Sequence, residues 1–111
     1  MTQSFESLKK RKDFLDLREK CSCYKTKNFI INFKTDTYLS KPKIGITVSN
    51  KIGNAVKRNY IKRVVKSTIN DLKETFPKNL VIEVIAKKNL STNFTHLRKD
   101  LVNFQENYKS L

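Results

Sequence analysis

The residues of this sequence best equipped to engage a ligand are cations and amides gathered in one stretch. From Thr37 to Asn70 no Asp or Glu occurs, while Lys41, Lys43, Lys51, Lys57, Arg58, Lys62, Arg63 and Lys66 all fall inside. Guanidinium groups offer a rigid fork of donors that matches phosphate oxygens, and Asn amides reach sugar or base edges. At about 100° per residue, Asn59, Lys62, Arg63, Lys66 and Asn70 share one helical face, opposite Ile61, Val65, Thr68 and Leu72. Gly53 permits a tight turn just before this helix, and Asn54 suits its N-cap. Such a helix start presents unpaired backbone N–H groups and a positive dipole end to an anion. The simpler alternatives are a solvated charged face, with Gly53 and Asn54 serving only as turn and cap. Against them stands the segregation of charge, since all 10 acidic residues lie outside the window.

Catalytic chemistry is harder to place. Protein-based phosphodiester cleavage calls for clustered carboxylates that hold metal ions, or for a paired acid and base. The acids here are scattered, and His96 has only Asp100 near it, at a spacing typical of a surface pair on a helix. Cys21 and Cys23 sit two residues apart, where a bridge would be strained, and with a single His they form no metal site. No catalytic residue and no metal ligand is therefore assigned, and the thiols are expected to be reduced, in a cytoplasmic protein.

The elements that must position the basic face follow from pattern. A chain of 111 residues argues for a single domain spanning 1–111. With 24 Lys+Arg against 10 Asp+Glu, the net charge of +14 calls for a polyanionic partner. Nucleic acid fits best, because neutralising phosphates releases counterions, and a membrane surface is the alternative. No run approaches the length of a membrane span, and the N-terminus lacks the apolar core of a secretion signal. A short helix is expected from Arg11 to Lys20 and a strand over Lys27–Phe33, with a short extra strand near Ser22–Tyr24. Lys43–Ser49 alternates as a second main strand, with Ile44, Ile46 and Val48 on one face. A long helix follows Asn54 and runs to about Glu74, burying Ile61, Val65, Thr68, Ile69, Leu72 and Phe76, with Pro77 ending the element. Leu80–Ala86 is apolar on nearly both faces and so central. The last helix opens near Thr92 or Asn93 and buries Phe94, Leu97, Leu101, Phe104 and Tyr108. The order is helix, strands, helix, strand, helix, an α+β sandwich around one small sheet. Its strand–helix–strand unit would by default be right-handed.

Ser49–Lys66, SNKIGNAVKRNYIKRVVK, resembles the signature of the bacterial ribonuclease P protein component. Lys51, Gly53, Asn54, Ala55, Val56, Arg58, Asn59, Lys62 and Arg63 match it, whereas Tyr60 and Lys66 stand where the family usually has Arg. Leu8–Phe14 resembles the family's opening, and the closing helix agrees in length and pattern. The resemblance implies a left-handed strand–helix–strand crossover in place of the right-handed default. It also implies a ribonucleoprotein that removes the 5′ leader of precursor tRNA, with Mg2+ held mainly by the RNA and substrate. The partners it implies are the catalytic RNA and precursor tRNA, with no membrane and no small-molecule substrate.

Residue by residue, the resemblance assigns Lys51, Gly53, Asn54, Arg58, Asn59, Tyr60, Lys62, Arg63 and Lys66 to the catalytic RNA. Tyr60 could stack on a base or simply leave one phosphate unpaired. The strand after the first helix turns Phe29, Ile31 and Phe33 one way and Ile30 and Asn32 the other, leaving a half-polar surface. The family's leader groove falls between that surface and the first helix, with an aromatic at Phe14 and, one turn later, Arg18 where a second aromatic is common. Phe14 as a plain core residue is the competing reading. For the whole chain, the competitors are a ribosomal or other structured-RNA binder, a DNA-binding regulator and a self-contained nuclease. The DNA reading lacks helix-turn-helix spacing and a dimerisation heptad, and the nuclease reading lacks the carboxylates.

Overall fold

In the computed structural model, which describes residues 6–8, 10–36, 39–72 and 76–108, a mixed sheet is covered unequally on its two faces. The elements in order are β1 (Glu6–Ser7), α1 (Arg11–Glu19), β2 (Ser22–Lys25), β3 (Phe29–Thr35), β4 (Lys43–Thr47), α2 (Ala55–Leu72), β5 (Leu80–Ala86) and α3 (Phe94–Asn107). A 3-10 turn, Asn50–Ile52, precedes α2. The sheet runs β1-β4-β5-β3-β2, so the apolar strand β5 is central, as its two-sided hydrophobicity requires. It pairs parallel with β4 and antiparallel with β3. The β4–α2–β5 crossover thus returns to the adjacent strand, and it carries α2 over one face.

Register decides which side chains share a face. Ile44, Ile82 and Phe33 are cross-strand neighbours, as are Ile46, Val84 and Ile31. They meet Ile61, Val65 and Ile69 of α2 and Leu97, Leu101 and Phe104 of α3 in the main core. Phe104 packs edge-on against Tyr24 and Phe33 and stacks on Tyr108, ring contacts that add to plain area burial. On the opposite face a smaller cluster of Leu8, Leu17 and Val81, with half-buried Phe14, Cys21 and Leu39, seats α1. Because α1 has only 9 residues, it covers part of this face and leaves the rest open.

Several boundaries shift from the expected ones for identifiable reasons. The strand expected from Lys27 begins at Phe29, because Thr26 closes a turn: its N–H donates to the Phe29 carbonyl and its Oγ1 accepts from the Phe29 N–H. Asn28 is buried and donates from its backbone and side chain to Asp100. Asp100 is therefore committed to this turn, and His96 instead meets the Ser91 hydroxyl. Phe94 is 46% exposed rather than part of the buried stripe. As the first helical residue it leans toward the N-terminus, past the cap formed by Asn93. Val64 joins the buried face of α2, which is wider than the expected stripe. Cys21 and Cys23 are free thiols. The expected end of α2 near Glu74 lies outside the described residues.

Candidate nucleic-acid interface

Two surfaces could meet a polyanion. The first is the outer face of α2. Asn59, Lys62, Arg63, Lys66 and Asn70 are all exposed, while Ile61, Val65, Thr68 and Ile69 are buried beneath them. Thr68 satisfies its buried hydroxyl by donating to the Val64 carbonyl 2.8 Å away. Between α2 and the β1–β4 edge runs a cleft of about 480 Å3. Its floor is apolar, with Leu8, Ile44 and Ile46, and its wall is Asn59, Lys62, Arg63 and Lys66. Among the described residues, no acidic side chain lines it.

The segment leading into α2 is rigidly made. The Ser49 hydroxyl accepts from the Lys51 N–H, and the Asn54 side chain accepts from the Lys57 N–H at 3.0 Å, the N-cap geometry its residue type favours. Gly53 sits at φ 157°, ψ −162°, a region that suits glycine, and a Cβ there would lie 2.8 Å from Lys57 Cδ. Arg58 folds back, donating to Asn50 Oδ1 at 2.7 Å and to the Gly53 carbonyl. It braces the turn, whereas Lys51 and Asn54 remain exposed at its tip. Tyr60 is half-buried against the core, and its hydroxyl donates to the Thr92 carbonyl. That placement separates it from the exposed row and gives it a tie between α2 and the start of α3.

The second surface is the groove between α1 and the open part of the sheet, lined by Arg11, Phe14, Leu15, Arg18 and Thr47. Ile30 and Asn32 of β3 lie on this same face and are half-buried, in register with Ile85 and Glu83. The ring of Phe14 lies against Gly45, where a Cβ would come within 2.5 Å of its edge. Phe14 therefore seats α1 on the sheet and also faces the groove.

The groove has a residue at its base that sequence reasoning missed. Glu83, in the middle of β5, is fully buried, and its carboxylate accepts from Arg18 Nε at 2.9 Å and Nη2 at 2.6 Å. Thr47 Oγ1 donates to it at 2.7 Å, and Asn32 contributes a further hydrogen bond. Burial pushes the Glu83 carboxyl upward, but the Arg18, Thr47 and Asn32 hydrogen bonds and the Arg18 charge outweigh it and hold the carboxyl below its ordinary range. The hydrogen bond to Glu83 likewise raises the Arg18 guanidinium. A lone charge in an otherwise apolar central strand was the available signal, since such a residue requires a partner. Among the described residues, no group of three or more His, Cys, Asp and Glu could hold a metal ion. Among them, too, no helix is long and apolar enough to cross a membrane.

The architecture defines a class: a small, basic α+β domain that sets the cationic outer face of a long helix beside a half-open sheet. The family model described as Ribonuclease P matches residues 2–109. The ribonuclease P protein component of Thermotoga petrophila is 36% identical over 97 residues, covering 85% of this chain and 82% of the relative. That of Desulforapulum autotrophicum is 39% identical over 100 residues, covering 86% and 82%. The solved Staphylococcus aureus RNase P protein superposes with a TM-score of 0.83 at 26% identity, over 93% of this chain and 94% of that one. The chain belongs to the family of ribonuclease P protein components. It is thus a subunit of ribonuclease P, involved in maturing the 5′ end of tRNA, and membership implies partnership with the ribonuclease P RNA.

Proposed function

We propose that the two surfaces divide the work of the subunit. The outer face of α2, with Asn59, Lys62, Arg63 and Lys66 and the exposed tip at Lys51 and Asn54, binds the catalytic RNA. The groove of Phe14, Arg18, Ile30 and Asn32 binds the 5′ leader of precursor tRNA. In this reading the protein positions the leader and the RNA carries the hydrolysis. The observation that carries it is the arrangement of charge. The cationic row on α2 is solvent-facing, aligned and free of acids, as a phosphate-binding face must be. The groove instead offers an aromatic ring, apolar β3 surface and amide donors, the mixture that suits an unpaired strand.

The chain's own residues fit Mg2+ poorly, because the described carboxylates form no cluster. Magnesium, held mainly by RNA and substrate, would supply the activated water and the charge stabilisation for cleavage. The protein's residues bind and orient: α2 fixes the domain on the RNA, and the groove holds the leader as a single strand. The test is direct. Rigorously RNA-free protein should leave precursor tRNA intact in magnesium, and adding the cognate RNA should produce accurate 5′ cleavage. Specific cleavage by the protein alone would overturn the assignment.

A further inference from the structure

Arg18 differs from every cation on α2 in being paired with a buried acid. Its Nε and Nη2 hydrogens take the two oxygens of Glu83 side-on, and its side chain is 45% exposed against 0% for Glu83. Among the described residues the guanidinium donates to nothing else. The side-on pairing consumes one edge of the guanidinium and leaves the end-on edge, formed by Nη1 and the second hydrogen of Nη2, without a partner. The Arg18 guanidinium carbon lies 6.0 Å from the centre of the Phe14 ring, and both residues line the same groove.

We infer that Glu83 is a positioning residue that fixes Arg18 as a charge-neutral donor fork, and that this fork reads a guanine base of the leader. The inference rests on the leader-groove reading above and adds a specificity to it. A phosphate approaching Arg18 also meets the Glu83 carboxylate behind it, so little net attraction or counterion release follows. A base edge needs no net charge. It needs two coplanar donors at the right separation, and the end-on guanidinium edge matches the O6 and N7 acceptors of guanine. That edge of guanine is open in an unpaired strand, and the neighbouring Phe14 ring supplies a stacking surface. Fixing the fork in advance also lowers the ordering cost of binding, because Arg18 does not have to be immobilised by the ligand. Uracil presents no such adjacent pair, because its N3–H donor stands between O2 and O4. Cytosine does offer N3 and O2 side by side, so uracil is the base against which a guanine preference is read.

The experiment uses the holoenzyme, assembled from the full chain and its cognate RNA. Precursor tRNAs carry uridine leaders with guanine placed at one position at a time, and a leaderless precursor serves as control. One leader position should favour guanine over uracil by about fivefold or more. Arg18→Lys keeps a cation opposite Glu83 but lacks the fork. It should abolish the preference, with its loss of affinity confined to leader-bearing precursors. Glu83→Gln frees the Arg18 charge while keeping the side chain's shape. It should weaken the preference and steepen the log–log salt dependence of leader binding by about 0.7, as an unpaired cation meets phosphate.

A wild-type enzyme with no guanine preference, or a preference that survives Arg18→Lys, would overturn the inference. So would equal losses on leader-bearing and leaderless precursors, which would make the pair structural only. A wild-type enzyme that binds leader-bearing and leaderless precursors equally would sink the groove reading itself. Leader-dependent binding without base preference sinks only the role of Arg18.

Discussion

The α2 face and the α1 groove both carry arginine, and they use it in opposite ways. On α2, Arg63 stands exposed among Asn59, Lys62 and Lys66, and among the described residues no acid lines its cleft. In the groove, Arg18 is anchored to a carboxylate that is itself out of solvent. The first region presents net charge and leaves its side chains free to follow phosphates. The second holds a neutral pair and presents geometry. Net charge is the sum of what the neighbours leave uncompensated, so an arginine count alone does not distinguish a surface that attracts a backbone from one that reads a base.

The comparison is broken most forcefully by deleting one arginine from each region. Arg18→Ala should destabilise the fold by about 2–3 kcal/mol. That is less than the ~3–5 kcal/mol for a fully buried pair, because Arg18 is partly solvated and Thr47 and Asn32 still hold Glu83. Arg63→Ala should stay within about 0.5 kcal/mol of the parent, as surface substitutions do. Chemical denaturation of the two variants checks both, and similar losses would erase the distinction.

A second contrast concerns the ring that both seats α1 and faces the groove. Phe14→Ala should cost about 1–3 kcal/mol of affinity for a long-leader precursor, by loss of stacking, with a smaller effect on a very short leader. Equal losses on both substrates with a lowered melting temperature would assign Phe14 to packing against Gly45 alone.

The smallest effect expected is on acid stability. Glu83 is held below its ordinary range in the folded chain, so its contribution is fully present above the unfolded glutamate range and is lost as pH falls through the folded value. Stability measured down into acid should therefore decline less steeply in Glu83→Gln than in the parent. Parallel curves would remove Glu83 as a contributor.

Much of this contrast was visible in sequence on one side only. The α2 face is local: its period, its Asn54 cap and its freedom from acids all lie within one stretch, where helical geometry alone brings the side chains together. The central place of β5 also followed from its two-sided apolar pattern. The groove pair joins residues 65 apart in sequence, and nothing in the spacing of Arg18 identifies Glu83 as its partner. Local pattern also did not give the intramolecular contacts of Arg58 and Tyr60. Both belong to the recognisable motif, yet one braces the Asn50–Gly53 turn and the other ties α2 to Thr92. Those roles depend on where the chain folds back, which periodicity does not encode.

The division between the two surfaces stands most directly on the salt dependence of RNA association. Binding of the catalytic RNA to the parent protein and to Arg63→Glu, measured across a range of salt concentrations, should show weaker association for the variant. Its log–log slope should be shallower by about 0.7–0.9 for each phosphate that the variant no longer neutralises. Unchanged affinity and slope in a folded variant would remove the outer face of α2 from the interface and contradict that division.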